Sequence, residues 1–237
     1  MEAFILAAGL GTRLRPLTDH RPKALVEVGG ESLLALAIRR LAAAGATRIV
    51  VNVHHFADQV ETFIASHTWP CPVAISDERT LLLDTGGALR HAAPLFSGSD
   101  NILVHNVDVL STLDLPALVD HHVREGNLAT LCVSDRPSSR KLLFSPDGQL
   151  LGRANSDGNS DPTPNRPLAF SGIAVVSPTL ISLLPEAGHP FPIIDQYIRL
   201  SPTLPVRCYI HEADRWLDVG RPETLQKAQL WYPSSSN

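Results

Sequence analysis

The sequence predicts an α/β fold: a doubly wound, mostly parallel mixed sheet with helices on both faces. Three observations carry that expectation. Short apolar, β-branched runs alternate with stretches at helical spacing, an order that implies parallel strands joined by crossover helices. The 237 residues are enough for one large domain with a substantial core. Residues able to do chemistry cluster just past the ends of the apolar runs, where open α/β sheets hold their ligands.

Taken in order, residues 4–8 read as a short buried strand that breaks into Gly9-Leu10-Gly11. Arg13, Arg15, Arg21 and Lys23 follow among the turn formers Pro16, Thr18, Asp19 and Pro22. Outward-turned amides beside clustered cations let a chain approach and neutralise a polyphosphate; the alternative is a plain turn with a solvated basic face. The segment is not a dinucleotide fingerprint, because Leu14 replaces the third glycine, nor a Walker A loop, because no Gly-Lys-Ser/Thr follows. Residues 32–44 predict a helix from Leu33, Leu36, Ile38 and Leu41, with Gly45 at its end. Residues 48–53 predict a strand, 57–66 a helix and 73–76 a short strand. Asp77-Glu78-Arg79-Thr80 then leads to Asp84-Thr85-Gly86-Gly87, where two glycines opening a helix over 88–93 would offer free amides near a ligand.

Residues 101–106 predict an apolar strand with Asp108 just past its end, a usual place to hold a metal over phosphates. His105 and Asn106 on that strand read as packed and hydrogen-bonded. Residues 115–125 predict a helix ended by Gly126, and 127–133 a strand. From 134 to 167 Pro, Ser, Asn, Asp and Gly dominate, which reads as a hairpin around Pro146-Asp147-Gly148 plus a flexible loop over 155–165. Arg140 and Lys141, on the hairpin's approach, face either a phosphate or solvent. Residues 168–176 resume the sheet, and Gly172 inside that strand marks a bulge or the close approach of a ligand. A helix over 191–200 carries Asp195, a strand covers 206–211, and Asp218 precedes Gly220 as a second acidic residue after a strand. A last helix, 223–230, has Pro222 well placed at its start. One domain is expected over 1–232, with a frayed tail at 233–237.

The formal charge of −4 argues against a general nucleic-acid binder. No apolar run approaches the roughly 20 residues of a membrane span, and no basic segment followed by a cleavable apolar one opens the chain. Cys71, Cys132 and Cys208 are scattered without metal-ligand spacing. A cytoplasmic protein without a membrane or nucleic-acid partner is therefore expected.

The segment Leu6-Ala-Ala-Gly9-Leu-Gly-Thr-Arg13-Leu-Arg-Pro-Leu-Thr18, with Pro22-Lys23 behind it, resembles the signature of the sugar-1-phosphate nucleotidyltransferases. The likeness continues through Asp84-Thr-Gly-Gly87, Asn106-x-Asp108, Phe170-Ser-Gly-Ile173 and Trp216-Leu-Asp-Val-Gly220, five motifs in the family's order over nearly the whole chain. The compact length is most similar to the N-acetylmuramate-1-phosphate uridylyltransferases and the short mannose- or heptose-1-phosphate guanylyltransferases. The resemblance implies a Rossmann-like nucleotidyltransferase (GT-A-like) architecture. It also implies transfer of a nucleoside monophosphate from an NTP, UTP or GTP, to a sugar 1-phosphate with release of pyrophosphate. On that pattern Leu6, Ala8, Gly9, Gly11 and Thr12 line the nucleotide, Arg13 meets the leaving pyrophosphate, and Lys23 meets the α-phosphate. Asp108 and Asp218 would hold Mg²⁺. Asp77 and Glu78 would lie near the base, with Thr85, Gly86, Gly87 and Asn106 also on the nucleotide. Asp84, Gly172, Arg140, Lys141 and Asp195 would surround the sugar phosphate.

Three departures from the family pattern stand out. Val107 replaces the glycine of Asn-Gly-Asp, Lys141-Leu142 stands where many relatives have Tyr-Gly, and the Glu-Lys-Pro lysine is absent, leaving Arg140, Lys141 or Arg153 as substitutes. A carboxylate near the base can accept guanine's two adjacent donors or uracil's one, so it mildly favours guanine. The compact architecture and Asp-Thr-Gly-Gly favour the muramate uridylyltransferases, and UTP is ranked first. Readings of other kinds are a non-catalytic nucleotide-sugar sensor and a cytidylyltransferase acting on phosphocholine. Monomer and homodimer remain open.

Overall fold

The computed structural model describes residues 1–154, 164–212 and 215–232. The central strand, β1 (Glu2–Leu6), runs parallel to β4 (Ile49–Val53) on one side and β6 (Ile102–Asn106) on the other. Beyond β4 lies β5 (Val73–Asp77), also parallel. Beyond β6 lies β11 (Arg166–Val176), antiparallel to it, then β8 (Ala129–Ser134) and β12 (Val206–Ile210), which are parallel to each other. The sheet order is thus β12-β8-β11-β6-β1-β4-β5, with β11 as the reversed strand. The hairpin of β9 (Lys141–Phe144) and β10 (Leu150–Arg153) pairs with the N-terminal part of β11.

Alternation along the strands explains the layers. Phe4 and Val50 join one buried cluster with Leu89, Leu131, Phe144 and Tyr197, while Ile5 and Val51 join another with Leu33, Leu41, Val60 and Leu118. Successive side chains point to opposite faces, so an apolar run without polar interruption requires cover on both sides. That cover comes from α1 (Leu33–Ala43), α2 (Ala57–Ala65) and α4 (Leu115–Glu125) on one face, and from α3 (Asp84–His91), α5 (Pro178–Ser182) and α6 (Ile193–Leu200) on the other. Ser32 Oγ accepts from the Ala35 amide at 3.1 Å to cap α1, and Asp114 Oδ1 from the Ala117 amide at 3.0 Å to cap α4.

Short pairings escaped the sequence pattern. β2 (Glu27–Val28) pairs with β3 (Glu31–Ser32), and β7 (Val109–Ser111) with β13 (Trp216–Asp218), both too short to show a period. The last helix, α7 (Pro222–Trp231), reaches back to β2: Gln229 accepts from the Gly29 amide at 2.8 Å and donates to the Glu27 carbonyl at 3.0 Å. Most of the loop expected over 155–165, and the tail at 233–237, lie outside the described residues. Among the described residues no helix is long and apolar enough to cross a membrane.

Two buried imidazoles make stability pH-dependent. His105 is fully buried and His122 is 2% exposed, and burial lowers the pKa of each to about 4. The unfolded chain binds these protons near pH 6.5 while the folded chain refuses them, so stability is fully present above about 6.5 and is lost as pH falls toward 4. Each contributes on the order of 3 kcal/mol over that window. Urea titrations at pH 7 and pH 5 should show the loss, and a flat profile would contradict it.

Candidate active site

Parallel register brings the carboxyl ends of three strands side by side: Leu6 is the partner of Asn52 on β4 and of Asn106 on β6. Over them opens a cavity of about 490 Å³ lined by Leu6, Ala7, Ala8, Gly9, Lys23, Asn52, Leu82, Asp84, Thr85, Asn106, Val107, Asp108 and Pro190. Asn52 organises its floor. Its Oδ1 accepts from the Ala7 amide at 2.6 Å and the Ala8 amide at 3.3 Å, while its Nδ2 donates to Glu78 Oε1 at 2.8 Å. The amides of Gly9, Leu10 and Gly11, by contrast, donate to no acceptor among the described residues, as expected of a loop that receives an anion. Gly11 has φ +64°, and a Cβ there would lie 3.0 Å from Lys23 Cβ and from Thr18 Cγ2. The turn is therefore wrapped tightly over the stem of the lysine.

Four charged side chains meet at the edge of this cavity. Lys23, 8% exposed, pairs with Asp108 Oδ2. Asp218 is delivered by β13, whose pairing sets it opposite Val109, and the Val219 amide donates to the Asp108 carbonyl at 2.8 Å. A Cβ on Gly220 would fall 2.6 Å from Asp218 Oδ1, 2.9 Å from Arg13 Nη2 and 3.3 Å from Lys23 Nζ, so the three groups crowd around a glycine. Burial, then the neighbouring Asp108, raise the Asp218 pKa, with Lys23 and Arg13 opposing. Asp218 Oδ1 is buried without a hydrogen-bond partner among the described residues. A buried carboxylate oxygen beside a second carboxylate fits a small divalent cation that takes its other ligands from water and phosphate; no group of three or more candidate ligands occurs among the described residues. Gly220→Ala should lower turnover by at least about 10-fold, since a shift near 1 Å at reacting groups costs that much or more. Steady-state rates beside an unchanged circular dichroism spectrum would check this.

The structure places the expected residues unevenly. Leu6, Ala8, Gly9, Lys23, Asp84, Thr85, Asn106 and Asp108 line the cavity. Arg13 and Asp218 adjoin it through Gly220, and Gly11 and Thr12 belong to the loop that leads into it. Asp84 holds φ +57°, costly for a residue with a side chain, and accepts from its neighbour's amide, Thr85 N, at 2.5 Å. Val107, the departure from Asn-Gly-Asp, is buried, and its amide continues the ladder to the Leu6 carbonyl at 3.1 Å.

Other expectations need correction. Asp77 turns outward to Arg79, 3.0 Å away. Glu78 is 2% exposed, and both its oxygens are occupied, by Asn52 and by the Leu83 amide at 3.1 Å; it positions Asn52 and offers no edge to a base. The amides of Gly86 and Gly87 are not free, since both donate to the Phe191 carbonyl, at 2.9 and 3.2 Å. These glycines exist for close packing: a Cβ would lie 2.6 Å from the Phe191 ring at Gly86 and 2.5 Å from the His189 carbonyl at Gly87. Gly172, at φ +76°, sits in a bulge of β11 against Asn106 Nδ2, which a Cβ would approach to 2.9 Å. That close neighbour is the protein itself. Lys141 pairs with Asp135 at 2.9 Å and Asp195 with Arg153 at 2.5 Å, while Arg140 is exposed, so none of these lines the cavity. Of the early cations, Arg15 pairs with Asp19 at 3.3 Å and Arg21 lines a separate cleft. Asn52, Leu82 and Pro190 were missed, and Gly220 entered only as the end of the Trp216–Gly220 motif; the signal for Asn52 was a polar residue inside an apolar run.

Comparison with known proteins agrees with this geometry. The family model described as Nucleotidyl transferase matches residues 2–141. The N-acetylmuramate alpha-1-phosphate uridylyltransferase of Caulobacter vibrioides is 34% identical over 235 residues, covering 96% of this chain and 95% of that protein. The enzyme of the same name from Neisseria meningitidis serogroup B is 32% identical over 238 residues, covering 97% of each. The mannose-1-phosphate guanyltransferase of Emericella nidulans is 29% identical over 99% of this chain, which spans 65% of the fungal protein. Among solved structures, HddC from Yersinia pseudotuberculosis has a TM-score of 0.78 at 21% identity, covering 98% of this chain and 99% of its own, and establishes the fold. With a family pattern matched across the glycine loop, Lys23 and Asp108, and relatives aligned nearly end to end, the chain belongs to the nucleotidyl transferase family.

Proposed function

We propose that this nucleotidyltransferase transfers UMP from UTP to N-acetylmuramate 1-phosphate, giving the UDP-sugar and pyrophosphate. The reaction class is carried by one observation: Arg13, Lys23, Asp108 and Asp218 converge at the mouth of a cavity floored by a glycine loop. The choice of substrates is supported by two relatives of that name aligned over nearly their whole lengths. A guanylyltransferase using a mannose-type sugar 1-phosphate is the second reading, favoured by the fungal relatives. A non-catalytic sensor would have no use for a buried lysine clamped beside two carboxylates.

The free amides of Gly9 to Gly11 receive the triphosphate, and Arg13 attends the leaving pyrophosphate. Lys23, oriented by Asp108, meets the charge that builds at the α-phosphate during in-line displacement. Asp108 and Asp218 would hold Mg²⁺, which would neutralise phosphate charge and help orient the reacting oxygens. No general base is needed. The attacking phosphate monoester has a second pKa near about 6 and is already anionic at pH 7, so the protein's task is to place two anions in line. Free Cys71, Cys132 and Cys208 suit a reducing cytoplasm.

Pyrophosphate release should be measured with Mg²⁺ over four NTPs against a panel of sugar 1-phosphates. UTP with N-acetylmuramate 1-phosphate is expected to give the highest kcat/KM. Preference for GTP with mannose 1-phosphate would install the second reading, and no release from any pair would overturn the enzyme reading altogether.

A further inference from the structure

Arg136 stands outside every motif, yet the fold carries it to the acidic pair. Trp216 and Asp218 are residues i and i+2 of β13 and share one face of that strand. The Arg136 guanidinium lies over the Trp216 ring, with Cζ 4.0 Å from the ring centroid. Its Nη2 donates to the Phe170 carbonyl at 2.6 Å, and Trp216 Nε1 donates to the Ser171 carbonyl at 2.9 Å. Both side chains thus grip the segment leading into Gly172, the bulge that packs on Asn106 of the cavity wall. Arg136 does not itself line the cavity; it is stacked on the strand that presents Asp218 and fixed to the segment that borders the cavity wall.

It is also under-used there. A guanidinium has five donors; Arg136 spends one on Phe170, and its buried Nε has no partner among the described residues. Burial weakens its hold on the proton and the nearby Asp218 partly restores it, a setting that another anion would improve. The cations expected near the sugar are otherwise engaged or remote. Lys141 and Arg153 are paired with Asp135 and Asp195, and Arg140 is exposed on the approach to β9. Arg13 and Lys23 serve the triphosphate in the reading above. Bringing a second phosphate beside Asp108 and Asp218 requires a cation on its side too.

We infer that Arg136 binds the phosphate of the sugar 1-phosphate, taking the place of the lysine this chain lacks. The inference rests on the proposed reaction, and its test separates the two. Arg136→Gln should raise KM for the sugar 1-phosphate by about 10- to 100-fold, the range of a lost charge-assisted bond, with KM for the NTP changed less than about 3-fold. Inorganic phosphate, used as a competitive inhibitor against the sugar 1-phosphate, should weaken in parallel, and Arg136→Lys should recover part of both. If wild-type protein turns over but Arg136→Gln leaves that KM and the phosphate inhibition intact, the inference is wrong and the reaction stands. Equal increases in both substrates' KM with a fall in Tm would make Arg136 a structural prop and overturn it as well. Weaker sugar binding with unaltered phosphate inhibition would place the contact on the sugar, against the inference. If the wild-type protein turns over no pair, the reaction itself fails.

Discussion

Replacing Lys23 with methionine should lower kcat by about 10²- to 10³-fold, the usual effect of losing one preorganised charge at a transition state, while KM for the NTP moves only a few-fold. The lysine sits on a single 3₁₀ turn, Lys23–Leu25, begun by Pro22 and buried beneath Gly11. Methionine preserves most of the packed stem, so the substitution removes charge and little else. Because Lys23 is already fixed by Asp108 before any substrate arrives, its contribution belongs to turnover more than to capture. Pyrophosphate release at saturating NTP, with far-ultraviolet circular dichroism as a check on folding, measures the effect. A kcat within about 3-fold of wild type would remove Lys23 from the mechanism.

Asp218→Asn should have two opposed consequences. Activity should fall by about 10³-fold, because the carboxylate proposed to hold the cation is gone. Stability without metal should rise. The Asp218 carboxyl has a raised pKa, from burial and from Asp108, and a group whose folded pKa exceeds its unfolded value destabilises the fold once ionised. That cost is absent below the unfolded pKa, grows as pH rises through the folded value, and is fully present at neutral pH. Asparagine removes it and can donate to Asp108. In chelator at pH 7.5 the variant's Tm should exceed wild type's, by about 2–4 °C for each kcal/mol recovered in a chain of this size. The difference should vanish near pH 4, and added Mg²⁺ should stabilise wild type alone. A less stable variant, or one still stabilised by Mg²⁺, would contradict the assignment.

Several residues around this cavity could be placed before the fold was known. The place of Asp108 was legible because an apolar run announces a strand, and the residue just past its end inherits a known place in a parallel sheet, whereas Lys23 was singled out by the cluster of cations after the glycine turn. Asp218 was found by the same rule, though the ribbon that aims it, β7 with β13, is three residues deep and has no pattern. Asp77 and Glu78 show the limit. They are neighbours at a strand end, so they point opposite ways, and only packing decides that one meets solvent while the other is sealed against Asn52. Gly86 and Gly87 were misread because their partners, His189 and Phe191, lie about a hundred residues away. A glycine that admits a ligand and one that admits a distant backbone look alike in sequence. Arg136 was invisible for a related reason: its meaning comes from Trp216, which no spacing links to it.

The ribbon joining β7 to β13 also ties the two halves of the polypeptide together. Asp108 and Lys23 lie in the first half of the polypeptide, together with the glycine loop and the three central parallel strands. Asp218 comes from the second half, secured to Asp108 through Val219 and followed by α7, which clips onto the hairpin just after the lysine turn. Asp108 and Asp218 lie 110 residues apart in sequence, so their meeting is a long-range contact that forms only when both halves of the fold are in place.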